Sequence, residues 1–138
     1  MSFAEKIGRN LKGGETIELR SDLGGGKTTL VRGLAKGAGS DDQVASPTFT
    51  ISRVYDAPDN IRINHFDFYR LQDPGLMQAE LGESVSDPLS VTIVEWAGIV
   101  EDVLPSDRLV IEISSTGEYL RHFKLAAGES HAHLLREL

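Results

Sequence analysis

Apolar residues recur along the chain in two rhythms. Phe3, Ile7 and Leu11 stand four apart, the spacing of one face of a short helix, which Gly13 and Gly14 end. Residues 16–20 (Thr-Ile-Glu-Leu-Arg) read as a strand, and Leu30, Val31, Leu34, Ala35 and Ala38 then restore helical spacing over 30–38. Gly39 suits the left-handed position that closes such a helix. Inside it, Gly33 and Gly37 lie one turn apart. Each costs about 1 kcal/mol relative to alanine, which predicts close backbone packing on the sheet as compensation.

Two runs with period-two alternation follow, 49–55 and 61–69, separated by Asp56-Ala57-Pro58-Asp59-Asn60, and predict a β-hairpin. Asp73-Pro74-Gly75 reads as a cap and first turn for a helix that continues through Leu76, Met77, Glu80 and Leu81 to Gly82. Residues 83–90 read as a loop. Val91-Thr92-Ile93-Val94 is almost wholly apolar, as expected of a strand buried on both faces in a parallel sheet. A short helix over 99–104 ends at Pro105. Residues 109–113 and 119–125 alternate around Ser115-Thr116-Gly117, a second hairpin, and a terminal helix over 130–138 carries Leu134, Leu135 and Leu138 on one side. No repeat, linker or low-complexity segment interrupts the pattern, so residues 1–138 are expected to form a single α/β domain.

Composition narrows the class. A chain of 138 residues can bury one real core but not two. No apolar run approaches a membrane span, residues 1–6 do not read as a secretion signal, and the chain has no cysteine, so a cytoplasmic protein is expected. The formal charge is −7, from 14 basic and 21 acidic residues, which argues against autonomous grip on nucleic acid. Between Leu71 and Glu112 the only basic residue is Arg108. That acidic stretch reads as a solvated face or, more sharply, as a docking surface for a basic partner.

The chemistry centres on Ser21-Asp22-Leu23-Gly24-Gly25-Gly26-Lys27-Thr28-Thr29, placed between a predicted strand and a predicted helix, the layout of a phosphate-binding P-loop. Gly24, Gly25 and Gly26 let successive N–H groups turn toward an anion, and the helix adds its positive end. Lys27 would reach the outer phosphates and the Thr28 hydroxyl would ligate magnesium. One position departs from the pattern: Ser21 stands where a first glycine is expected, which a serine can fill if its φ stays negative.

Hydrolysis also needs a carboxylate near the metal, usually at the end of a buried strand. Glu95 ends the run 91–94 and is preferred over Asp67, whose strand carries Arg62, Asn64 and His65. Asp67 is then available to orient or deprotonate the attacking water, with His65, Asp67 and Tyr69 on one side of their strand. His65 reads equally as a structural hydrogen-bonding residue, and Arg70 either as a transition-state cation or as a salt-bridge partner. The hydroxyl-rich segment Ser46-Pro47-Thr48-Phe49-Thr50, just before the hairpin, would sense the outer phosphate and magnesium, or simply satisfy its own turn. Trp96 reads first as core and second as a contact beside the nucleotide. His131 and His133 lack a third ligand and do not make a metal site.

Four stretches in this order, 21–33, Ser46-Pro47-Thr48-Phe49, His65-Phe66-Asp67-Phe68-Tyr69-Arg70 and Val94-Glu95-Trp96, resemble the TsaE (YjeE) family of bacterial P-loop ATPases of tRNA threonylcarbamoyladenosine modification. The resemblance implies a P-loop NTPase-like three-layer domain with a mixed, largely parallel central sheet and β-hairpins. It implies that Gly24, Gly26, Lys27, Thr28 and Thr29 hold the phosphates of ATP, that Thr28 and Glu95 surround Mg2+, and that Asp67 serves hydrolysis. It assigns Ser46, Pro47 and Thr48 to a switch-like loop and Trp96 to the site. The implied partners are a TsaB–TsaD-type complex, whose turnover ATP hydrolysis supports, and tRNA only indirectly.

A small-molecule kinase of this fold usually needs an arginine-bearing lid, and no arginine-rich insertion occurs. A guanine-specific switch would need an Asn-Lys-x-Asp element, and none occurs. A nucleotide-dependent assembly module that hydrolyses little remains the non-enzymatic alternative.

Overall fold

The computed structural model describes residues 1–21, 25–44, 52–68, 75–115, 117, 121–136 and 138. Helix α1 (Phe3–Arg9) starts at Ser2, whose hydroxyl accepts the Glu5 N–H at 3.2 Å. Strand β1 (Thr16–Ser21) leads toward α2 (Gly25–Gly37). Strands β2 (Ser52–Asp56) and β3 (Arg62–Asp67) form the first hairpin, then come α3 (Gly75–Ser86) and β4 (Ser90–Glu95). A 3-10 segment, Ala97–Val103, precedes the second hairpin of β5 (Leu109–Ser115) and β6 (Arg121–Ala127), and a second 3-10 segment, Glu129–Leu135, follows.

The six strands make one sheet in the order β2-β3-β4-β1-β5-β6. The four central strands are parallel, and each hairpin adds one antiparallel edge strand. This is the expected mixed, largely parallel sheet, and all of β4 is buried. One face carries Ile17, Leu19, Ile63, Ile93 and Ile111 against Ile7 of α1 and Leu30, Val31 and Leu34 of α2. The other packs Phe66, Phe68 and Val94 against Leu81 of α3 and Ala97, Val100 and Leu104 after β4. Helices on both faces of a parallel centre give the three-layer α/β architecture.

Several elements differ from their expected form. Helix α2 begins at Gly25, more than a turn before Leu30, so Gly25 and Gly26 are helical and their N–H groups belong to its first turn. Gly33 and Gly37 face α1 rather than the sheet: a methyl on Gly33 would strike Ala4, and one on Gly37 would strike the Glu5 carbonyl. The sheet side of α2 belongs to its larger apolar residues, and the glycines let the two helices touch. Gly39 does close the helix, at φ 91°, with Gly39 N–H bonded to Lys36 O and Ser40 N–H to Ala35 O. Helix α3 runs past Gly82 to Ser86 because Val85 packs on the second core and buried Ser84 bonds Asn64 and Thr92. The segment after β4 starts at Ala97 and is 3-10 in type. In the terminal segment Leu134 is fully buried, but Leu138 is exposed, so those leucines do not share one buried side.

Candidate active site

The strand ends bring the residues together. Ser21, Asp67 and Glu95 close β1, β3 and β4, all at the carboxyl edge of the parallel centre, where ligands of open α/β sheets sit. Ser21 pairs with Ile113 and keeps a negative φ, as the position requires. Asp67 and Glu95 are register partners on neighbouring strands and share a face of the sheet with His65. The first turn of α2 adds Lys27, Thr28 and Thr29; Lys27 is buried, Thr28 half-buried and Thr29 exposed.

Lys27 and Glu95 are each 4% exposed, and Lys27 Nζ lies 3.8 Å from Glu95 Oε1. At this separation the gross attraction is roughly 4 kcal/mol for an effective dielectric near 20, most of it offsetting desolvation. The same ammonium sits 4.4 Å from the Trp96 ring centroid, a cation–π contact. Trp96 is held in the left-handed region at φ 58° and ψ 51°, a strained conformation for a bulky residue, and the residue is 42% exposed. Glu95 Oε2 lies 2.6 Å from His65 Nε2. A carboxylate only accepts, so Nε2 carries the hydrogen that joins them.

Beside this cluster a cleft of about 320 Å³ is lined by Arg20, Ser21, Lys27, Trp96, Gly98 and Glu101, among others. Its charged wall is anchored by Glu18, which takes hydrogen bonds from Arg20 (2.7 Å) and Arg108 (2.9 Å). Burial pushes the Glu18 carboxyl up, and the two guanidinium groups outweigh it and hold the group below the usual range. Arg108 also donates to Glu101 at 2.7 Å, tying the segment after Trp96 to β1.

Lys27, Glu95 and Trp96 are thus brought into contact, with Thr28 in the same first turn and Asp67 on the adjoining strand. Gly24, Ser46, Pro47, Thr48, Tyr69 and Arg70 lie outside the described residues. His131 and His133 serve the fold: His131 Nε2 accepts the Thr16 N–H at 2.9 Å, and His133 Nε2 lies 2.7 Å from Glu15. The contact of His65 with Glu95 was not specified by the sequence. Alternation placed His65 and Asp67 on one side, but the register between β3 and β4 decides which carboxylate that side meets.

The family model described as "Threonylcarbamoyl adenosine biosynthesis protein TsaE" matches residues 1–123. The chain belongs to the TsaE family. It is 37% identical over 129 residues to the tRNA threonylcarbamoyladenosine biosynthesis protein TsaE of Bacillus subtilis, covering 92% of this chain and 79% of that protein. The Streptomyces coelicolor protein of the same name is 41% identical over 129 residues, covering 87% and 84%. The fold is likewise that of Bacillus subtilis YdiB, whose crystal structure superposes with a TM-score of 0.73 at 32% identity over 96% of this chain and 81% of that one. Membership bears out the resemblance carried by the four motifs and the P-loop NTPase-like reading of the fold.

Proposed function

We propose that this chain is the ATP-binding and ATP-hydrolysing component of tRNA N6-threonylcarbamoyladenosine (A37) modification, its hydrolysis supporting turnover of a TsaB–TsaD-type complex. The observation that carries this reading is the buried Lys27–Glu95 pair, set between the first turn of α2 and the end of β4. The N–H groups of that turn, which have no partner within the helix, would cradle phosphates together with Gly25 and Gly26, and Lys27 would exchange Glu95 for the outer phosphate oxygens. The Thr28 hydroxyl and the Glu95 carboxylate are hard oxygen donors, few in number, which fits magnesium held mainly by substrate and water. Magnesium, when bound, would offset the negative charge of the phosphate oxygens. Asp67, beside Glu95 at the end of β3, would orient or deprotonate the attacking water. Trp96 would cover the same ammonium from the solvent side.

The reading predicts that Lys27→Ala weakens ATP binding at least about tenfold, whereas Asp67→Ala leaves binding within about threefold and lowers hydrolysis about 100-fold or more. Equilibrium binding and single-turnover hydrolysis check both. Equal loss of binding in the two variants removes the role of Asp67; absence of magnesium-dependent affinity for adenine nucleotides removes the whole proposal.

The engagement of Lys27 by both Glu95 and Trp96 favours one alternative, a nucleotide-dependent assembly module that hydrolyses little. Single-turnover hydrolysis with and without TsaB and TsaD separates them. No acceleration by the pair and no dependence on Glu95 or Asp67 would decide for the module.

A further inference from the structure

His65 has no solvent exposure, and its Nδ1 has no hydrogen-bond partner among the described residues. Leaving a buried ring nitrogen unmatched costs about 1–3 kcal/mol. What the imidazole gains in exchange is the 2.6 Å bond from Nε2 to Glu95 Oε2. That bond divides the carboxylate: Oε2 is taken by His65, and Oε1 is the oxygen nearer Lys27. Without it, Glu95 would be free to rotate about its terminal torsion, which is broad for a carboxylate.

We infer that His65 is a positioning residue, whose Nε2–H fixes the rotation of Glu95 so that Oε1 is presented toward the start of α2. The inference rests on the proposed reading of Glu95 as a magnesium ligand. Partners that hydrogen-bond a ligating carboxylate orient it, and their loss typically weakens metal binding 10- to 100-fold. A histidine on β3 suits this role because its ring is rigid and its register partner is Ile93, one alternation before Glu95. From there it reaches diagonally across to the neighbouring strand.

The test uses the full chain, ADP and Mn2+ as a magnesium substitute, with free Mn2+ read by electron paramagnetic resonance. His65→Leu is expected to bind Mn2+ about 10- to 100-fold more weakly, with ADP affinity in EDTA changed less than about twofold. His65→Gln, whose amide reaches the place of Nε2, is expected to recover binding to within about threefold of the parent. His65→Asn, whose amide falls short of Glu95, is expected to behave as leucine does and serves if the leucine variant does not fold. Unchanged Mn2+ affinity in the leucine or asparagine variant, or equal losses with glutamine and asparagine, overturns the inference. Glu95→Gln separates the two levels. If it retains Mn2+ as tightly as the parent, the role of Glu95 fails and that of His65 with it; if it loses Mn2+ while the His65 variants do not, only the role of His65 fails.

Discussion

Glu18 shows how one residue in the middle of a strand can govern its surroundings. It is 3% exposed and ionised against its burial, because Arg20 and Arg108 donate to it. A carboxyl held below its ordinary value adds stability above about pH 4.3 and loses that contribution as pH falls through the lower folded value. The stability gap between the parent and Glu18→Gln should therefore narrow as pH falls from 7 to 3, as read from urea midpoints. Arg108→Ala leaves Glu18 buried with one guanidinium instead of two and should cost about 3 kcal/mol near neutral pH. The lone tryptophan, Trp96, reports on the segment this arginine ties down, so its fluorescence is expected to shift in the same variant. None of this was legible in the sequence, where Glu18 and Arg108 are 90 positions apart. Lys27 and Glu95 were legible, because a P-loop lysine and an acidic strand end are marked by local context.

At the scale of elements, the contact between α1 and α2 decides how the phosphate-binding helix is seated. Gly8, Gly33 and Gly37 let the two backbones approach until a single methyl would collide with the opposite chain. Gly37→Ala should thus destabilise by about 1–3 kcal/mol, despite a helix propensity gain of about 1 kcal/mol, because the obstacle is the Glu5 carbonyl rather than a flexible side chain. Gly82→Ala in α3 meets nothing within 4 Å and should stabilise by about 0.5–1 kcal/mol. Chemical denaturation of the two variants gives opposite signs if the helix contact is as described. Periodicity found both helices but assigned the glycines of α2 to the sheet, since spacing identifies an apolar stripe and not what the small residues meet. The continuation of α3 beyond Gly82 escaped for a related reason: Ser84 is polar, and its place was set by Asn64 and Thr92 on two strands.

The whole molecule is acidic, and among the described residues the cations near the cleft are committed: Lys27 to Glu95, and Arg20 and Arg108 to Glu18. Grip on a polyphosphate depends on basic groups that can neutralise it, so the chain alone should not retain tRNA in filter binding at about 0.15 M salt. Tight, salt-sensitive retention would contradict this and would place tRNA contact on the chain itself. By itself the sequence determined what is written in short-range pattern: the alternation of strands and helices, the two hairpins, Lys27 with Thr28 at the start of a helix, and the buried strand ending in Glu95. Those follow from sterics and from the period of apolar burial, which act within a few residues. Only the tertiary structure decided strand order and register, and with them that His65 meets Glu95, that Glu18 meets Arg108, and that Trp96 lies over Lys27. Such pairings depend on which long-range contacts bury the most apolar surface while leaving the fewest polar groups unmatched, and that choice is made by the folded chain as a whole.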